Sequence, residues 1–300
     1  MRVFVTGATG HIGSAVVPEL LQAGHQVTGL ARSDSGAAAL AAMGADVQRG
    51  DLDDLEGLHA AAAASDGVIH LAFKHNFDDF LGSVEADRRA VEAMGEALVG
   101  SDRPFVGTSG TLMVAFVEGR LANEEDTLPA GPRIDAENAA IALAERGVRS
   151  SVIRLAPLVH SELDHHGFTH HIIDCARKAG VSAYIGDGAN RWPGLHTLDA
   201  ATLYRLALES APAGSRLHGV ADEGVPFREI AEVIGRRLDL PTKGITPEEA
   251  PEHFGFLAAF AGLDDATSSG RTQKILDWHP EHKGLLADLE DGHYFDEEQP

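Results

Sequence analysis

Along the first half of the chain, short apolar runs alternate with stretches whose apolar residues recur at helical spacing. Residues 2–6 read as a buried strand and 12–23 as a helix that stops at Gly24. The alternation continues through strand 26–30, helix 34–43 closed by Gly44, strand 46–48, helix 53–64 and strand 67–71. Helix 78–99, strand 104–107, helix 135–146 and strand 151–155 complete it. The strands are continuous apolar runs, as expected where helices cover both faces of a sheet. This order predicts parallel strands with right-handed crossovers, hence an α/β fold with a doubly wound parallel sheet.

The second half is less regular. Residues 161–192 read as loop-rich, 198–208 as an amphipathic helix, 216–221 as a seventh strand of the same sheet and 226–238 as a helix. Residues 247–263 form a largely apolar helical stretch, and the acidic tail 296–300 reads as frayed. The expected division is a sheet domain, 1–160 plus 193–221, and a small C-terminal lobe, 161–192 plus 222–300. The 300 residues are 44% hydrophobic, enough to bury a sizeable core. A net charge of −22 argues against nucleic acid or an anionic membrane as partner. The lone cysteine, Cys175, fits a reducing compartment. The first strand leaves no room for a signal peptide, and no apolar run reaches the ~20 residues of a membrane span, so the expected location is the cytoplasm.

Between the first strand and the first helix stands Thr6-Gly7-Ala8-Thr9-Gly10-His11-Ile12-Gly13. Gly7 permits a tight turn, Gly10 lets the main chain approach a pyrophosphate, and Gly13 lets the helix pack close to the sheet. The helix then presents free N–H groups and a positive dipole end to the phosphates. The pattern points to a dinucleotide cofactor. At the tip of the second strand stands Arg32, followed by Ser33, with no carboxylate at the tip itself; this favours NADP over NAD, the rival being a ribose contact from Asp34. After the third strand, Asp51 and Leu52 are placed to meet the adenine; the bland alternative for Asp51 is a helix N-cap, which Asp53 could supply equally well.

Together with V-I-H-L-A at the fourth strand, R-L-A-P at 154–157 and G-D-G-A-N-R-W-P-G-L-H-T-L-D-A from Gly186, these motifs resemble the extended short-chain dehydrogenase/reductase family. The resemblance implies a Rossmann-type sheet of about seven strands, a C-terminal substrate lobe and NAD(P) binding. The residues it implies for the cofactor are Gly7, Thr9, Gly10, His11, Ile12, Gly13, Arg32, Ser33, Asp51, Leu52, Leu71, Ala72, Phe73, Thr108, Pro157 and Leu158. A homodimer through helices 78–99 and 135–146 is expected on the same ground.

The family's Tyr-x-x-x-Lys pair has no counterpart: Tyr184, Tyr204 and Tyr294 are the only tyrosines, and none is followed by Lys four residues on. Arg133 and Glu137 stand at the corresponding positions, and Gly110 at the usual hydroxyl position, flanked by Ser109 and Thr111. Candidate replacements are Lys74 or His75 as carbonyl polariser or proton source, Ser109 or Thr111 as hydrogen-bond donors, and Arg133 with Glu137 as an altered acid/base pair. The bland readings are a solvated loop, strand-end capping and an i,i+4 salt bridge. Arg191, Trp192 and Phe168 are the expected substrate contacts, in a lobe rich in aromatic residues. His165, His166, His170 and His171 do not form an expected metal site, because Gly167 interrupts them and no cysteine is near. The leading expectation is an NADP-dependent oxidoreductase acting on a small organic carbonyl or alcohol. The alternatives are a non-catalytic NADP-binding redox sensor and an epimerase or dehydratase.

Overall fold

The computed structural model describes residues 1–76 and 79–295. Seven parallel strands form the central sheet: β1 (Arg2–Thr6), β2 (Gln26–Ala31), β3 (Asp46–Arg49), β4 (Gly67–His70), β5 (Pro104–Gly110), β6 (Arg149–Leu155) and, from the second half, β10 (Ser215–Gly219). Their spatial order is β10-β6-β5-β4-β1-β2-β3, so the chain winds outward twice from its centre. Between them lie β7 (Leu158–His160), β8 (Ser182–Ile185) and β9 (Arg191–His196), followed by β11 (Asp222–Pro226) and β12 (Thr242–Ile245). These five build two small sheets, ordered β11-β9-β7 and β12-β8.

Helices α1 (Gly13–Gln22), α2 (Asp34–Met43) and α7 (Thr197–Ser210) flank the sheet together with α3 (Leu55–Ala63), α4 (Phe80–Glu96) and α5 (Ile134–Ala142). One core cluster joins Val3, Val5, Val16, Ile69, Val106 and Tyr204; another, on the opposite face, joins Phe4, Val68, Met94, Phe105 and Val152. Odd and even strand positions thus feed opposite faces, which explains the continuous apolar runs. A third cluster, around Trp192, Phe227, Phe254 and Tyr294, unites α6 (Phe168–Ala179) and α8 (Phe227–Leu238) with the C-terminal segments. Those segments carry α9 (Ala250–Phe254), α10 (Ala258–Ala261), α11 (Gly270–Leu276) and α12 (Leu285–Asp291).

Several expected elements are corrected. Residues 161–192 hold a twelve-residue helix, because Gly167 stands at its N-cap rather than inside it. The stretch 247–263 is broken into α9, a 3-10 turn and α10 at Gly255, whose φ is +57°. The cap of α3 is Asp54, which accepts from the Gly57 amide, and not Asp53. Helix α5 ends at Ala142, and its last expected turn is a 3-10 turn at 143–146. The expected start of α4 at Asp78 and the tail 296–300 lie outside the described residues.

Candidate active site

Parallel pairing brings the C-terminal ends of β1 to β6 to one edge, so the loops that follow them converge there. The turn after β1 is packed from both sides. Gly7 has φ +67°, and a Cβ on it would lie 2.7 Å from the Ala72 nitrogen, just past β4. A Cβ on Gly13 would collide with the Gly7 carbonyl oxygen. One on Gly10 would meet only that same oxygen, at 3.3 Å, with open space beyond. The amides of His11, Ile12 and Gly13 have no partner among the described residues, α1 has no side-chain cap, and its first turn carries no acid. Free amides on a helix start, behind a glycine with room in front of it, fit a pyrophosphate.

Thr9 is exposed beside this cradle, whereas His11 turns away from it. The His11 Nε2 lies 2.8 Å from Thr197 Oγ1, and its Nδ1 lies 3.5 Å from the buried Asp164. Burial pushes its pKa down, against the pull of Asp164. At the tip of β2, Arg32 and Ser33 are exposed. Arg49, at the end of β3, bonds the Ser33 carbonyl and pairs with Asp34 at 3.0 Å. The carboxylate that could have served a ribose is thereby held by a second guanidinium on the same rim. Asp51 accepts from the Asp53 amide at 2.8 Å, and Leu52 is buried beneath α3.

The loop after β4 carries Leu71, Ala72, Phe73, Lys74 and His75 along the same edge. Phe73 is half-buried, and the Arg133 guanidinium lies over its ring, 4.0 Å from the centroid. Arg133 caps α5 from the left-handed region, φ +66°, a conformation that costs a side-chain-bearing residue about 1–3 kcal/mol. Its Nη2 donates to the Thr108 carbonyl at 3.1 Å, and its Nη1 lies 3.5 Å from Asp87 Oδ2. The His75 ring stands edge-on to Phe73 at 5.3 Å. Its pKa is lowered by partial burial and then by the Arg133 charge. Arg133, Phe73 and His75 thus come together at the ends of β4 and β5, with half-buried Pro157 closing the same edge after β6.

Other expected site residues stand elsewhere. Lys74 is drawn to Asp53 at 2.6 Å, on the adenine side. Glu137 is 3% exposed beneath α5 and accepts from Arg154 and from Arg216, the latter at 2.8 Å. Burial opposes its ionisation, but the two arginines prevail and hold the carboxyl below its usual range. Ser109 is buried beside it. Thr108 gives its hydroxyl to the His70 carbonyl and meets the Tyr204 hydroxyl at 2.8 Å, behind the sheet. Thr111 donates to Asp265 at 2.6 Å, both fully buried. Arg191 is fixed to Asp264 through Nε at 3.0 Å and Nη2 at 2.7 Å. Trp192 has no exposed surface and packs edge-on against Phe227 at 5.2 Å; Phe168 lies half-buried between Trp192 and Phe256. Leu158 belongs to the third core cluster, with Trp192 and Phe227.

The sequence reading passed over Arg49, His70, Asp87 and Asp265. His70 is the one polar residue in an apolar strand, and Asp87 falls on the stripe of Val84, Val91 and Met94 that α4 buries. Those positions were the available signal.

Among known proteins, a model of the NAD dependent epimerase/dehydratase family matches residues 3–128. An uncharacterized protein of Schizosaccharomyces pombe is 47% identical over 297 residues, 98% of this chain and 100% of its own. A 2-alkyl-3-oxoalkanoate reductase of Stenotrophomonas maltophilia is 30% identical over 80% of this chain and 77% of its own. A dTDP-glucose 4,6-dehydratase from Streptomyces venezuelae, solved with NAD and DAU bound, superposes with a TM-score of 0.78 at 18% identity over 99% of this chain and 98% of its own. Among the described residues no helix is long and apolar enough to cross a membrane.

Proposed function

The chain belongs to the NAD dependent epimerase/dehydratase family, and from that premise we propose that it is an NADP-dependent oxidoreductase interconverting a small organic carbonyl and its alcohol. The observation that carries the reading is the Arg133 guanidinium, fixed over Phe73 at the sheet edge that also holds the free amides of 11–13. Bound NADP(H) supplies or removes a hydride there. The amides of the turn hold its pyrophosphate, and Arg32 with Arg49 holds its 2′-phosphate. Arg133 donates to the substrate oxygen and stabilises the negative charge that grows on it. His75, beside Arg133, carries the proton. The lobe of 161–192 plus 222–300 covers the substrate. The 30% identical relative is a reductase by name, which favours carbonyl chemistry over epimerisation.

The test is a panel of aldehydes, ketones and imines offered with NADPH and, in parallel, NADH. The expected result is turnover of at least one class with NADPH preferred. Arg32→Asp shifts the preference towards NADH. Arg133→Ala lowers kcat/KM about 100-fold, the usual loss when a donor to a developing oxyanion is removed. Tight NADPH binding with no turnover anywhere on the panel would establish the redox-sensor reading instead.

A second copy of the chain is proposed to pack on α4 and α5, where Glu92, Glu96, Ala139, Ala142 and Arg146 line a groove of about 400 Å³. A monomer mass in light scattering would remove that part.

A further inference from the structure

We infer that Asp87, on α4, is a positioning residue of this site: it aims the Arg133 guanidinium from a carboxylate that His70 and Thr6 hold in register with the nucleotide-binding turn. The inference rests on the oxidoreductase reading and adds to it the residue through which the catalytic arginine is oriented.

Asp87 is 3% exposed. A buried carboxylate is costly unless partnered, so its two oxygens must be accounted for. Oδ1 lies 3.1 Å from His70 Nε2, and Oδ2 lies 3.5 Å from Arg133 Nη1. The other ring nitrogen of His70, Nδ1, lies 2.6 Å from Thr6 Oγ1. That hydroxyl oxygen already accepts the Ala72 amide at 3.2 Å, so its own hydrogen is available to His70 Nδ1. Nε2–H of His70 is then left to donate to Asp87, which fixes the tautomer.

The chain of contacts therefore starts at Thr6, the residue before Gly7, crosses β4 and α4, and ends on the first residue before α5. An arginine side chain loses much rotamer freedom when one geometry is imposed on it. Phe73 against the guanidinium and the Thr108 carbonyl at Nη2 are two of its restraints. Asp87 supplies the third point, at Nη1, the terminal nitrogen that Thr108 does not take. With three supports, the guanidinium has one preferred orientation. The left-handed backbone at Arg133 is the local price of bringing that side chain back over the sheet edge.

The experiment compares Asp87→Asn, Arg133→Ala and the double variant in the full chain, on the best carbonyl from the panel above. Asp87→Asn is expected to leave NADPH affinity within about two-fold and to lower kcat by about ten- to a hundred-fold. In the Arg133→Ala background the same change is expected to alter kcat by less than about two-fold, because the group it positions is gone. Proton–nitrogen NMR gives a second readout: the Arg133 Nη–H signals, expected to be resolved at low temperature in the wild type because Nη1 faces Asp87 and Nη2 the Thr108 carbonyl, are expected to broaden or vanish in Asp87→Asn. Equal losses of kcat in both backgrounds, or an unchanged Arg133 signal, would show that Asp87 only supports the fold. If Asp87→Asn does not fold, Asp87→Glu, which keeps the charge and displaces it, carries the same comparison with the same expected outcomes. Wild-type turnover in Arg133→Ala sinks the assignment of Arg133 itself and is read separately from either result at Asp87. A wild type with no turnover removes both.

Discussion

Burial and the neighbouring Arg133 guanidinium both disfavour the imidazolium form of His75, so its pKa lies below the ordinary 6.5. The sign decides which direction of the reaction it serves best. Around neutral pH the ring is largely neutral and, in the proposed reaction, would accept the proton released when an alcohol is oxidised. The rate of alcohol oxidation is therefore expected to be flat near neutrality and to fall as pH drops through a break below 6.5. Arg133→Gln removes the second of the two causes, and the break should move upward, whatever the variant does to the plateau. His75→Ala should abolish it. A break that stays in place without His75 belongs to another group, and the proton then travels elsewhere. The cofactor end of the site obeys a different rule. There the chemistry is steric: Gly10 has open space in front of it while Gly7 and Gly13 are boxed in by main chain, so one short turn both closes the fold and leaves room for phosphate.

Helix α5 shows how an element can carry two residues at i,i+4 spacing into different roles. Arg133, before its first turn, reaches the sheet edge, while Glu137 points down onto β6 and β10, where Arg154 is wholly buried. Glu137→Ala leaves Arg154 and Arg216 without their shared counter-charge, and removing one partner of such a buried pair costs about 3–5 kcal/mol. Urea denaturation should register that loss, with NADPH affinity of the folded fraction unchanged. A loss under about 1 kcal/mol with activity abolished would return Glu137 to the catalytic set. The same helix marks the limit of legibility in the sequence. The pattern that predicts strands and helices is local, so β1, β2, β4, β5 and β6 were readable from short apolar runs, the polar β3 and β10 from their place in the alternation, and the glycine turn from its place between a strand and a helix. The strands β7, β8, β9, β11 and β12 are three to six residues each and have no such run. Helix α6 was hidden by a glycine whose capping role depends on the preceding backbone. Arg133 and His75 could be picked out by position. Their supports could not, because Asp87 meets His70 across 17 residues and Asp265 meets Thr111 across 154.

For the molecule as a whole, the net charge of −22 sets a field hostile to a dinucleotide, against which the proposed site sets the local rim of Arg32 and Arg49. One buried acid makes the seam between sheet and lobe sensitive to pH. Asp265 lies between α10 and α11 and is pinned against the end of β5. Arg191 holds its neighbour Asp264, the Ala122 amide donates to the Ala266 carbonyl at 2.9 Å, and Thr111 donates to Asp265 itself. Burial raises the Asp265 pKa from 3.8 to about 7, against the hydrogen bonds from Thr111 and Thr267. Because the folded value is above the unfolded one, the group's contribution to stability is fully present below 3.8 and is lost as pH rises through about 7. Over that window the folded state gives up about 1.4 kcal/mol per pH unit from this site. Asp265→Asn keeps an acceptor for Thr111 and removes the charge. Its stability relative to wild type, from urea denaturation at about pH 5, 6 and 8, should therefore rise with pH and level off above about pH 7. Other acids on the surface cancel in that difference, since both proteins carry them. A difference independent of pH would mean that Asp265 ionises freely in the folded chain, and that the lobe reaches the end of β5 through something other than a neutral carboxyl.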